Sequence, residues 1–218
     1  MNVLVVDKCL YTRLGISCYF SEETGINIHH VNSVNQALEK KDIPNPDIIL
    51  VNLTDYCRIN EQDTSLIRFF SQYSHVKIFV YLDADYPNGT RPIILNSHVY
   101  IINKQKLTSL LAVFTDLHQK PDLHKSIQQY FGNYPALTDR EASITQYWME
   151  EMPNHKIARK LNICGRTVYV HKQHITEKMH VRNRLEFCYL YNVIKYVVCP
   201  APCFIDRKST RLNSSHII

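Results

Sequence analysis

PDIILVNL, residues 46 to 53, contains a short apolar run, IILVNL (48–53), that reads as a β-strand closing on a polar amide, Asn52. The segments around it repeat the pattern. NVLVVD (2–7), IHHV (28–31), VKIFVYL (76–82) and VYII (99–102) are strand-like, rich in β-branched and aromatic residues. Helix-like pieces lie between and beyond them. The first has apolar positions at Leu10, Leu14 and Cys18, and VNSVNQALEKK (31–41) and TSLIRFFSQY (64–73) follow. KLTSLLAVFTDLHQK (106–120) closes the series, with Leu107, Leu110, Leu111, Phe114 and Leu117 on one side. Strands alternating with helices imply βαβ units, so residues 1 to 120 are expected to form an α/β domain around a five-stranded parallel sheet covered on both faces.

At 218 residues and 25.6 kDa the chain can hold two domains with cores that need no disulfide or metal. The N-terminus has no secretory pattern and no stretch approaches the roughly 20 apolar residues of a bilayer span, so a cytoplasmic protein without membrane contact is expected. Seven cysteines, at 9, 18, 57, 164, 188, 199 and 203, are odd in number and irregularly spaced, which fits a reducing compartment. Cys199 and Cys203, in CPAPC, are too few for a structural zinc site unless histidines join them, and neither metal nor cofactor is expected. The eleven histidines are scattered, no nucleophile–base pair is placed by spacing, and an enzyme is not expected.

Between 121 and 136 the periodicity lapses; Pro121, Gly132 and Pro135 mark a linker with a short helical segment inside it. From 137 to 200 everything reads as helix. Thr138 and Glu141 have the form of a capping box opening a first helix that runs to about Met149. NHKIARKL buries Ile157, Ala158 and Leu161, and GRTVYVHKQHITEKM buries Val168, Ile175 and Met179 on one side. A fourth helix begins near Arg184 and continues through FCYLYNVIKYVV, too apolar to stand fully exposed. Residues 207 to 218 fit no packed element and are expected to be a disordered or artefactual tail, since KSTRLNSSH resembles translated adapter sequence.

Charge is unevenly spread. Residues 1 to 120 carry 11 Lys and Arg against 12 Asp and Glu, whereas residues 154 to 184 carry 8 against 1, an electrostatic footprint for a polyanion. A short helix, a tight connection and a longer helix with a buried spine form the layout of helix-turn-helix DNA binding. The third helix leaves Arg166, Thr167, Tyr169, Val170 and Gln173 facing outward as base-edge candidates, and Lys156, Lys172, Lys178 and Arg182 are the natural phosphate partners. A helical protein-interaction module is the alternative. In the fourth helix, Leu190, Val193, Ile194 and Val197 are candidates for a dimer interface, with packing inside the domain as the competing role.

Residues 137 to 187 resemble the C-terminal DNA-binding domain of the LuxR-type, or NarL-type, bacterial regulators through Leu137, Thr138, Arg140, Glu141, Ile157, Ala158, Leu161, Ile163, Thr167, Val168, His171, Ile175, Lys178, Val181 and Arg184. That family usually has glycine where Glu151 stands, glutamate at Lys156 and lysine at Tyr169, so the resemblance implies an altered turn and an altered base preference. The first 120 residues in turn resemble a response-regulator receiver domain. That resemblance implies a phosphate-accepting aspartate after the third strand, where this chain has Asn52. Asp7 is kept with Val6 as its neighbour, Leu82 stands at the hydroxyl position, and Lys104 is displaced behind Asn103. An amide is no in-line nucleophile and supplies no charge to hold a divalent cation, so a receiver-like domain without phosphotransfer is expected.

Taken in order, a degenerate receiver followed by a LuxR-type end is similar to the RcsA-type auxiliary regulators of enteric bacteria, with the BglJ-type proteins as neighbours. The resemblance implies double-stranded DNA as one partner. It also implies a heterodimer with an RcsB-like response regulator at promoters of capsule or other surface or regulatory genes. An autonomous homodimeric regulator, or an interaction protein that sequesters a regulator without binding DNA, is the alternative.

Overall fold

The computed structural model describes residues 1–40, 44–57, 64–87, 92–120, 122–131 and 137–197. The first part of the chain forms β1 (Asn2–Val6), α1 (Leu10–Tyr19), β2 (Asn27–Val31), α2 (Val34–Glu39), β3 (Ile48–Asn52), α3 (Thr54–Cys57) and α4 (Thr64–Gln72). Next come β4 (Lys77–Tyr81), β5 (Ile93–Ile94), β6 (Val99–Ile101), a 3₁₀ turn at Lys104–Lys106, α5 (Leu107–His118) and α6 (Leu123–Phe131). The last part is helical: α7 (Asp139–Met149), α8 (Asn154–Leu161), α9 (Gly165–Lys178) and α10 (Arg184–Val197).

The sheet has six strands in the order β2-β1-β3-β4-β6-β5. The expected five run parallel, but β5 joins the edge antiparallel to β6, so the sheet is mixed. Two residues, Ile93 and Ile94, are too short a run for alternation to register in the sequence. Every side chain of β4 is buried, because helices cover both faces of the sheet. One face stacks Val3, Val5, Leu50 and Phe79 against Ile16 of α1, Leu110 and Phe114 of α5 and Ile127 of α6. Residues 123 to 131, expected as a helical piece within a linker, therefore pack into a core.

The opposite face buries Leu4, Ile49, Ile78 and Val80 in one continuous apolar cluster that also takes in Ile144, Ile157, Val168, Ile175 and Met179 of the C-terminal helices. Each such fully buried side chain is worth roughly 1.5–3 kcal/mol of transfer free energy. α10 bridges the two parts by packing on α3 and α4 as well as on α7. Leu190, Val193 and Ile194, expected as partner-facing candidates, are buried in this cluster and present nothing to a second protein in this arrangement. The physical reason is that α10 offers one apolar stripe and α3 and α4 lie against it. The side chain of Val197, and residues 198–218 with Cys199, Cys203 and the expected tail, lie outside the described residues.

The expected capping box is present: Thr138 Oγ1 accepts from the Glu141 amide, and the Glu141 carboxylate accepts from the Thr138 amide at 2.8 Å. Glu151, where the resembled family has glycine, adopts φ of 57°, the left-handed region in which a Cβ costs about 1–2 kcal/mol.

Candidate nucleic-acid interface and the vestigial acceptor site

α9 is the longest of the first three C-terminal helices, and its buried spine of Val168 and Ile175 fixes which side turns outward. Arg166, Tyr169, Val170 and Gln173 are exposed on that side, and Thr167 is half-buried. Gln173 donates to the Glu177 carboxylate at 3.0 Å. The helix starts at Cys164, whose Sγ accepts from the Thr167 amide at 3.4 Å and lies 3.0 Å from the Thr167 hydroxyl. Those bonds hold the exposed Cys164 thiol below its ordinary pKa. Nothing in the sequence marks this cap, because cysteine is not among the usual capping residues.

The four expected phosphate partners differ sharply. Lys156 is exposed and makes no ion pair or side-chain hydrogen bond among the described residues. Lys172 donates to Asn154 Oδ1 at 2.8 Å and lies 4.6 Å above the Trp148 ring, and burial pulls its pKa down. Lys178 donates to both oxygens of Glu141, at 2.9 and 2.7 Å. Arg182 pairs with Glu186 at 2.9 Å and reaches the Asp85 carbonyl at 3.1 Å. Three of these cations thus have protein partners in this arrangement.

In the first part of the chain, the parallel register sets Val6 beside Val51 and Asn52 beside Tyr81, so Asp7, Asn52 and Asp83 converge at one end of the sheet. The Asn52 amide nitrogen donates to Asp7 Oδ2 at 3.2 Å and to both Asp83 oxygens at 3.1 and 3.2 Å. Its oxygen accepts from the Thr54 amide at 3.0 Å and the Thr54 hydroxyl at 2.7 Å. Asp7 also accepts from the Tyr81 hydroxyl at 2.7 Å; burial, then the adjacent carboxylate, push that phenol's pKa up.

Lys104, expected as displaced, reaches this cluster and donates to Asp83 at 2.5 Å. Burial alone would raise the Asp83 pKa, but the bonds from Lys104 and Asn52 hold it below the usual carboxylate range. Asp83, Tyr81 and Thr54 were not anticipated from the sequence; the acidic pair in YLDADY was the available signal. The amide therefore stitches two carboxylates together at the place where a receiver needs a nucleophile.

Two outcomes follow. A small phosphodonor with Mg²⁺ leaves the intact mass of the protein unchanged, and a phosphoryl adduct mapped to residues 1–120 would contradict that. In Asn52→Asp three carboxylates meet, so the folded pKa of at least one rises. A raised carboxyl pKa costs stability as pH climbs past the unfolded value, so the variant melts lower than the parent near pH 7. The deficit shrinks towards roughly pH 4, or on adding a divalent cation. Melting curves across pH check it.

Residues 2–126 match the family model described as transcriptional regulator RcsA, N-terminal dimerisation domain. The chain belongs to the RcsA family of transcriptional regulators. Residues 135–190 match the luxR family of bacterial regulatory proteins. Among RcsA relatives, the regulator RcsA of Pantoea stewartii subsp. stewartii is 25% identical over 205 residues, covering 89% of this chain and 93% of its own. The transcriptional regulatory protein EntR of Citrobacter freundii is 24% identical over 188 residues, covering 84% and 94%. The solved complex of the two-component response regulator RcsB with DNA shares 16% identity over 88% of this chain and 98% of that one, with a TM-score of 0.48. As an RcsA-family member the protein is a transcriptional regulator with a LuxR-type helix-turn-helix and not an enzyme. Among the described residues no cluster of His, Cys, Asp and Glu could hold a metal ion, and no helix is long and apolar enough to cross a membrane.

Proposed function

We propose that this chain is a phosphorylation-independent auxiliary subunit that pairs with an RcsB-like response regulator in the cytoplasm. The pair binds promoters of capsule or other surface or regulatory genes. The observation that carries this reading is Asn52 bridging Asp7 and Asp83, which removes the acceptor chemistry and leaves the signal to come from another protein. One α9 offers few base contacts, so discrimination between sequences needs a second half-site read by a partner. In this reading Arg166, Thr167, Tyr169, Val170 and Gln173 meet base edges, and Lys156 meets a phosphate without first leaving a protein partner. Lys172, Lys178 and Arg182 each exchange or share an internal bond to do so.

Gel-shift and sedimentation measurements on the purified chain, with and without the RcsB-like regulator of the same cell, test it. Alone, the chain binds promoter DNA weakly and with little sequence preference; with the partner, specific affinity rises by roughly tenfold or more, about 1.4 kcal/mol. A tight, sequence-specific homodimer indifferent to the partner would replace this reading with an autonomous regulator. Pairing without any DNA binding would replace it with a sequestering protein.

A further inference from the structure

The structure turns outward the side of α1 that carries the apolar positions Leu10, Leu14 and Cys18. Leu10 is 55% exposed, Tyr11 84% and Leu14 50%, and Cys18 is exposed with them, whereas Ile16 and the following Phe20 fill the core. Positions 10, 11, 14 and 18 fall on one face by the 3.6-residue period. That face is almost without charge. LYTRLGISCY has no acidic residue in its first turn and no basic residue in its last, and its single cation, Arg13, hydrogen-bonds the Asn32 side chain just beyond β2. Solvated helix faces normally carry charges; a contiguous apolar strip depleted of charge and holding Tyr and Leu has the composition of an interface centre.

We propose that this face of α1 is the surface that grips the receiver domain of the partner regulator, an inference that rests on the heterodimer reading above. Among the described residues, the chain's own C-terminal helices pack on the far side of the sheet, where α10 covers α3 and α4, whereas α1 packs on the opposite face. The family model that describes a dimerisation domain spans residues 2–126, which include α1 and exclude α7 to α10. A receiver-type domain in the partner presents a helical layer of the same kind, so one helical face packs on another.

The strip also sets the strength of the contact. A ten-residue helix is about 15 Å long and its outward face covers a few hundred Å², below the roughly 800 Å² per partner of a standard stable interface. Pairing through α1 is therefore modest in solution, and two adjacent half-sites on DNA complete it.

The test uses the full chain and the intact partner regulator. Leu14→Glu and, as a milder change, Tyr11→Ser weaken heterodimer formation in sedimentation at least tenfold. Their melting temperature and non-specific DNA binding stay at parental values, because the side chains are exposed. Tyr130→Ser, an exposed aromatic on α6, pairs normally. In the unsubstituted chain, partner addition slows alkylation of Cys18 and leaves that of Cys164 unchanged, as peptide mapping reads. If the parent pairs with the regulator while both α1 variants pair equally well and Cys18 stays as reactive as before, the surface assignment is wrong and the heterodimer stands. If the parent does not pair with the regulator at all, both fall together.

Discussion

Tyr86→Ala lowers the unfolding free energy by about 3–5 kcal/mol and separates the melting of the two domains. The ring is 1% exposed, within the apolar cluster shared by the sheet and the C-terminal helices. Its hydroxyl donates to the Met179 carbonyl at 2.7 Å, at the end of α9. Burial, then the Glu186 carboxylate, push the phenol's pKa up, so the donor keeps its proton throughout the physiological range. Next to it, Arg182 donates to the Asp85 carbonyl, and Asn103 holds the Asp85 carboxylate at 2.9 Å. Residues 83 to 86 thus touch Asn52 at one end and the C-terminal cap of α9 at the other. Truncating the ring leaves a cavity and removes the hydroxyl, whereas Tyr86→Phe loses the hydrogen bond alone, at about 0.5–1.5 kcal/mol. Calorimetry distinguishes them: one shifted transition for the phenylalanine, two resolved transitions for the alanine. A single transition in Tyr86→Ala, shifted no more than in Tyr86→Phe, would mean that the ring does not join the domains.

Local chemistry explains what the sequence disclosed. IILVNL and its companion strands are short, β-branched and separated by helical spacing, and all five formed parallel pairs. The Thr138–Glu141 spacing is a three-residue signal, and it closed as a capping box. Long-range geometry was hidden. α1 carries two candidate apolar faces, 10-14-18 and 16-20, each at four-residue spacing, and only the position of the sheet decides which one packs. The cations of the C-terminal domain look equivalent in one dimension, yet Glu141 lies 37 residues from Lys178 and Asp85 lies 97 from Arg182. The same holds for Asp83, whose meeting with Asn52 depends on the β3–β4 register and not on any local motif.

Lys178→Ala is expected to cost about 1–3 kcal/mol of stability. Breaking a fully buried pair costs about 3–5 kcal/mol, and the half-exposed lysine head, already partly hydrated, reduces that. Glu141 is the buried partner, with its side chain 4% exposed, and once the ammonium is gone Thr138 is what remains among the described residues to satisfy it. Burial by itself raises the Glu141 pKa; the bonds from Lys178 and Thr138 overcome this and hold it below the ordinary value. A depressed carboxyl pKa stabilises the fold above the pH at which an unfolded glutamate titrates, roughly 4 to 5, and that contribution disappears as pH falls through the folded value. The parent therefore loses stability steeply in acid, and Lys178→Ala loses less because its Glu141 is already easier to protonate. The same pair separates folding from recognition. Lys156→Ala leaves the melting temperature in place and lowers the salt dependence of DNA binding by about one phosphate contact. Lys178→Ala instead shifts the melting curve, and because its ammonium is shared between Glu141 and a phosphate, its salt dependence falls by less than one full contact. If Lys178→Ala melted like the parent yet lost a full phosphate contact in the salt titration, the lysine would belong to the DNA rather than to Glu141.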